Sequence, residues 1–196
     1  MNLSRIGLAA ATAVVLLAGC NRAADSGNAT AANGAAAANT AEPGSQTVAA
    51  ALAGDGDLGK LNEIAGNAGL ADLLGGTGPY TVFAPDNGAF NALGAQADAL
   101  KGEAMRPQAI ALLRAHIVPG VVTRRDLEAA LARGGSRPTQ MRTMAGGTLT
   151  FTRDGDAIVV ASDTGGRGRL VEETLASNGA IERIDGLLVA ADAPAR

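Results

Sequence analysis

Gly78-Pro79-Tyr80-Thr81-Val82-Phe83-Ala84-Pro85-Asp86-Asn87-Gly88-Ala89-Phe90 carries the densest set of local signals in the chain. Tyr80 to Phe83 gathers aromatic and β-branched residues, which suit a short strand. Pro85 lacks a backbone donor and ends that strand. Asp86 then stands where a carboxylate can cap a helix running through Ala89, Phe90 and Leu93. Val82 and Phe83 are the residues such a strand gives to a core.

Upstream of this stretch the pattern is helical. Thr47 to Ala53 predicts a short Ala/Leu-rich helix. Leu58, Leu61, Ile64 and Ala65 share one helical face. Leu70, Leu73 and Leu74 predict a second short helix, stopped by Gly75-Gly76. Downstream, Pro107 suits the first turn of a helix, with Ile110, Leu113 and Ile117 as its apolar face. Pro119-Gly120 breaks the chain. Thr123 opens another helix, with Asp126 as a capping partner and Leu127, Ala130 and Leu131 as the inner stripe.

The second half reads as strands. Thr148 to Thr152 alternates polar and apolar residues. Asp154-Gly155 then predicts a tight hairpin turn into Ile158-Val159-Val160. Leu170-Val171 begins a further strand. Ile181 to Ile184 and Leu187 to Val189 flank Asp185-Gly186, which predicts a second hairpin. Helices first and strands after argue for an α+β domain.

The N-terminus carries a different message. Arg5 precedes an apolar run from Ile6 to Ala18, too short to span a bilayer, for which about 20 apolar residues are needed. The run fits the h-region of a signal peptide over residues 1–19. Leu17-Ala18-Gly19-Cys20 resembles the lipobox of bacterial lipoproteins. That resemblance implies lipid attachment at Cys20 and a membrane as a partner through it. Cys20 is the only cysteine of the chain, so no internal disulfide can form. Asn21 follows it, in place of the aspartate that often marks inner-membrane retention. By the same resemblance the protein is lipid-anchored in the cell envelope, at the outer membrane, on its periplasmic or surface face.

Residues 20–44 lack any large apolar side chain and cannot offset the entropy of ordering. They read as a tether averaging roughly 25–30 Å end to end. Losing Arg5 leaves 15 basic against 19 acidic residues. That balance, with three Phe, one Tyr and no Trp, argues against nucleic acid as a partner.

Three segments in order resemble the fasciclin (FAS1) domain family. Gly78 to Phe90 is similar to its first signature. Leu112-Leu113-Arg114-Ala115-His116-Ile117-Val118-Pro119-Gly120 is similar to its central segment. Asn178-Gly179-Ala180-Ile181-Glu182-Arg183-Ile184-Asp185-Gly186-Leu187-Leu188-Val189 is similar to its closing segment. The resemblance implies one FAS1-like domain over residues 45–192, with N-terminal helices packed on a mostly antiparallel β-sandwich or wedge, and a tail over 193–196. It also implies a non-enzymatic adhesion or interaction module, with a protein, polysaccharide or lipid as the partner. The alternative it implies is a small apolar ligand, lipid or pigment, in a crevice of the domain. Thr81, Phe83, Pro85, Asp86, Phe90, His116, Pro119, Gly120, Asn178, Gly179, Ile184 and Asp185 are the family-motif residues, expected to specify the fold. This chain departs from the pattern at Ala115, Glu182 and Ala190, where the family has tyrosine, histidine and proline. Without the tyrosine, the integrin recognition linked to the tyrosine–histidine pair in some animal members does not carry over.

No catalytic, cofactor or metal site is expected. His116 is the only histidine, and no Gly-x-Ser-x-Gly elbow offers it a nucleophile. A hydrolase built on His116 is therefore a third reading, behind a histidine that holds the core. One histidine cannot build a histidine-rich zinc site. Asp55/Asp57 and Asp154/Asp156 do not extend into calcium loops. Gly165 to Arg169 lacks the Lys-Ser/Thr of a phosphate loop and reads as a mobile loop with Arg167 and Arg169 exposed, open to anionic headgroups or polysaccharide.

Overall fold

The computed structural model describes residues 44–135 and 137–190. The leader, Cys20, the tether apart from Gly44, and the tail over 193–196 lie outside the described residues. Among the described residues, no helix is long and apolar enough to cross a membrane.

Among the described residues, six α-helices and seven strands follow one another. They are α1 (Val48–Gly54), α2 (Gly59–Ala68), α3 (Ala71–Gly75), β1 (Tyr80–Pro85), α4 (Ala95–Ala99), α5 (Arg106–Ala115), β2 (Ile117–Pro119), α6 (Arg124–Gly134), β3 (Thr139–Arg142), β4 (Thr148–Asp154), β5 (Ala157–Ser162), β6 (Arg167–Ala176) and β7 (Gly179–Ile184). Local chemistry starts several of them. Thr47 caps α1, its hydroxyl accepting from the Ala50 N–H. Thr123 and Asp126 close a reciprocal capping box on α6. Those hydrogen bonds hold the Asp126 carboxyl below its ordinary pKa.

The strands form one sheet in the order β2-β1-β7-β6-β5-β4-β3. Only β1 and β7 run parallel; every other pairing is antiparallel. β1 and β4 are separated in that order by three strands, so in a flat sheet they would lie roughly 19 Å apart. Yet the Phe83 ring on β1 is 5.2 Å from the Phe151 ring on β4. The sheet therefore curls until its halves face each other, which gives the wedge. Phe83, Phe151, Val160, Ile184 and Leu188 fill the inside of the curl, with Leu127 and Leu131 of α6. A second core lies between the outside of β1–β7 and helices α1, α2, α3 and α5, around Leu61, Ile64, Val82 and Leu113.

Four local expectations need correction. The segment after Asp86 is a short 3-10 turn, Ala89–Leu93, although the Asp86 carboxylate does accept from the Ala89 N–H at 2.7 Å. Ile117 is not on a helix. α5 ends at Ala115, its inner face is Ala109, Leu112 and Leu113, and Ile117 pairs with Val82 in β2. Arg167 and Arg169 belong to β6, not to a loop; the turn is spent before them, and they sit opposite Ala161 and Val159. Asp185-Gly186 makes no hairpin. Both edges of β7 are already occupied, by β6 and by parallel β1, so Leu187 to Val189 has no strand to join. Instead Asp185 turns back on β6, its carboxylate accepting from the Arg169 N–H at 2.6 Å. The Asp154-Gly155 hairpin does form, with Gly155 at φ +59. β3 carried no readable signal.

Candidate functional site

The family-motif residues converge where β1, β2 and β7 meet. Thr81 is fully buried at 0% exposure. Its hydroxyl donates to the Gly120 carbonyl and accepts from the Val122 N–H, both at 2.8 Å. One side chain thus fixes the path after Pro119, where Gly120 takes φ +99. Phe83 and Phe90 enter the two cores, and Pro85 closes β1 opposite Ile184.

Asn178 ties three elements together. Its side-chain oxygen accepts from the Val48 N–H at 2.8 Å, at the start of α1. Its amide donates to the carbonyls of Leu74 at 2.8 Å and Gly76 at 2.6 Å, at the end of α3. Each would otherwise be an unpaired helix-end group. Asn178→Ala is expected to lower stability by about 2–3 kcal/mol, measured by urea unfolding. Asn178→Asp keeps the acceptor, loses both donors and should do no better; stability within error of the parent in both variants would rule out this role.

His116 is buried at 0% exposure, between α5 and the segment around Leu188. The Leu188 N–H donates to its Nε2 at 3.0 Å, so Nδ1 carries the proton and donates to the Leu112 carbonyl at 2.8 Å. Both ring nitrogens are consumed by the backbone. Burial pushes its pKa down to about 4, against the opposing effect of the Leu112 bond. A general base needs a substrate within hydrogen-bond reach, and this ring has neither a free nitrogen nor contact with solvent.

Sequence reasoning missed a buried charge cluster. Glu182 on β7 is fully buried and pairs with Arg124 at the start of α6, 3.0 Å away. Glu173, opposite Glu182 on β6, accepts from the Arg124 N–H at 2.8 Å. One Glu182 oxygen, Oε1, and the Arg124 Nε find no partner. Burial raises the Glu182 pKa to about 7, and Arg124 only partly offsets this. A signal was available: Glu182 has the strand parity of Ala180 and Ile184, both of them buried. Its partner lies 58 positions away and left no local trace. On the other sheet face, Arg183 pairs with Asp57 at 2.9 Å and with Glu172.

An open crevice of about 360 Å³ lies beside the β5–β6 turn. Gly88, Ala89, Gly166, Arg167, Asp185 and Leu187 are among its lining residues. Among the described residues, no group of three or more His, Cys, Asp or Glu is placed to hold a metal.

These features define an α+β domain whose signature residues are spent on strand junctions, helix ends and core. The family model of the fasciclin domain matches residues 56–190, and the chain belongs to the fasciclin domain family. It is 30% identical over 162 residues to "Protein sll1483" of Synechocystis sp., covering 79% of each chain. In fold it is similar to the solved FAS1 domain pair of the insect cell adhesion molecule fasciclin I. That likeness has a TM-score of 0.63 at 17% identity, and covers 74% of this chain and 51% of that chain. The present chain thus spans about half the length of that domain pair.

Proposed function

We propose that this protein is a non-enzymatic interaction module, held at an envelope membrane through lipid on Cys20 and presenting its folded domain, over residues 45–192, to a partner. Membership of a family associated with adhesion supports this reading. The observation that carries it is the position of His116. The single histidine of the chain is locked between two backbone groups in the core. With that ring inside the core, what the domain offers to others is its surface. The crevice reaches a volume suited to a small ligand. Glycines and alanines, with Leu187, Val189, Arg167 and Asp185, give it a mixed lining rather than a mainly apolar one.

The test has two arms. In bacterial cells expressing the full chain, labelled palmitate is expected to enter the protein and to be absent from Cys20→Ala. Beads coated with the purified protein are expected to retain envelope fragments, and His116→Gln, if folded, to retain them equally. Absence of label on the parent chain would remove the anchor, and absence of envelope retention would remove the interaction role.

A further inference from the structure

In the β3–β6 half of the sheet one face packs into the curl, and among the paired residues on the other only Val159 is buried. On β4, Leu149 and Phe151 point into the curl, so Thr148, Thr150 and Thr152 lie on the opposite face. Register carries that parity across the sheet. One row reads Gln140, Thr150, Ala161, Arg167. The rows beside it read Arg142, Thr148 and Thr152, Val159, Arg169. Gln140, Arg142, Thr152, Arg167 and Arg169 are all exposed.

One carboxylate, Asp154, shares the outward parity of Thr150 and Thr152, and it forms no ion pair with an arginine among the described residues. Arg124 and Arg183 are matched to carboxylates elsewhere in the fold. Arg142, Arg167 and Arg169 make no ion pair or side-chain hydrogen bond among the described residues. The carboxylates at the borders are Asp163, Asp185 and Asp154. Asp163 and Asp185 accept from the N–H groups of Thr148 and Arg169, and Asp154 sits at the hairpin end of β4. Stable exposed sheets place opposite charges or threonine pairs across strands. Here the threonines are present and no carboxylate is paired directly across from Arg142, Arg167 or Arg169, in a chain of net charge −3.

We propose that this face binds an acidic polysaccharide. The guanidinium groups of Arg142, Arg167 and Arg169 take the polymer's carboxylates, which they match in planar, bidentate geometry. Gln140, Thr150 and Thr152 supply amide and hydroxyl partners for the sugar hydroxyls between them. From β3 to β6 is three strand spacings, roughly 14 Å, so the cations lie along a path that an extended polymer crosses. A lipid surface would use the arginines and leave the polar rows idle, and interfacial binding draws on inserted apolar side chains. Val171, 48% exposed on β6, is one of only two large hydrophobic residues exposed among the described residues. The inference rests on the interaction reading above and names the chemistry of the partner.

The experiment uses the purified full chain with polygalacturonate as probe, neutral dextran as control and phosphatidylglycerol vesicles as the competing surface. Polygalacturonate is expected to retain the protein in a salt-sensitive way, and dextran is not. The combined R142Q, R167Q and R169Q variant is expected to lose affinity about tenfold or more, with unchanged thermal melting because all three positions are exposed. Thr150→Val is expected to weaken binding by a smaller factor, a change that simple charge attraction would not produce. Equal retention of the folded triple variant overturns the proposal, as does binding to the vesicles without binding to polygalacturonate. Envelope retention without polygalacturonate binding sinks this inference and spares the interaction role. Polygalacturonate binding without envelope retention supports the inference and removes that role.

Discussion

His116→Leu is expected to destabilise the fold by about 3 kcal/mol at pH 7, because it leaves the buried Leu188 N–H without an acceptor and removes two hydrogen bonds. The same histidine sets an acid limit. It is neutral in the fold down to about pH 4, whereas the unfolded chain takes up a proton near pH 6.5. Its contribution is therefore whole above pH 6.5 and is lost as pH falls toward 4, up to about 3 kcal/mol in all. Glu182 has the opposite sign. Its folded pKa is raised from 4.5 to about 7, so its contribution is whole below pH 4.5 and is lost as pH rises toward 7. Between pH 4.5 and 6.5 the two slopes oppose each other. The parent protein should show only a shallow dependence there. Glu182→Gln should unmask a loss toward acid, and His116→Leu a loss toward neutral pH. Urea unfolding across this range measures all three. Identical profiles in the three proteins would show that these groups do not control the pH response.

Gly179→Ala is expected to be more severe, costing about 4 kcal/mol or preventing soluble expression. A Cβ at this position would lie 2.0 Å from the Tyr80 carbonyl oxygen and 3.0 Å from the Val48 side chain. Backbone cannot yield there without separating β1 from β7, since Tyr80 and Gly179 begin that ladder. Gly155→Ala is the matching control. Its position is open, but its φ of +59 disfavours a side chain, and the expected cost is about 1 kcal/mol. Thermal melts of the two variants separate close contact from backbone strain. A Gly179→Ala melt equal to that of Gly155→Ala would mean that the β1–β7 junction tolerates movement.

What could be read from the sequence was mostly local. The α6 capping box needs only Thr123 and Asp126, and the inner face of α2 shows in the spacing of Leu61, Ile64 and Ala65. The three ordered motifs carried the fold class. Pairings between distant segments were not readable. Ile181 to Ile184 looks like one arm of a hairpin because Asp185-Gly186 follows it, yet its neighbours are β6 and β1. Ile117 continues a helical spacing from Leu113, and only the buried His116, bound back to Leu112, shows why the helix stops. The Arg124–Glu182 pair was hidden for the same reason, since each half alone looks like an ordinary charged residue. Reading Arg167 and Arg169 as a loop concealed their alignment with Thr150 and Thr152 across the sheet.

The parallel pairing of β1 with β7 has a consequence for the order in which the protein can fold. β1 is made about 100 residues before β7, and until then β2 is its only neighbour in the sheet. One edge of β1, with its N–H and C=O groups, waits for the last strand of the domain. Contacts this far apart in sequence form late and slowly. A chain emerging from the ribosome cannot close its sheet before Ile184 has been synthesised. Its sheet stays open through most of its synthesis. A chain that stopped at the end of β6 would keep that edge unpaired, and an unpaired edge is a template for aggregation.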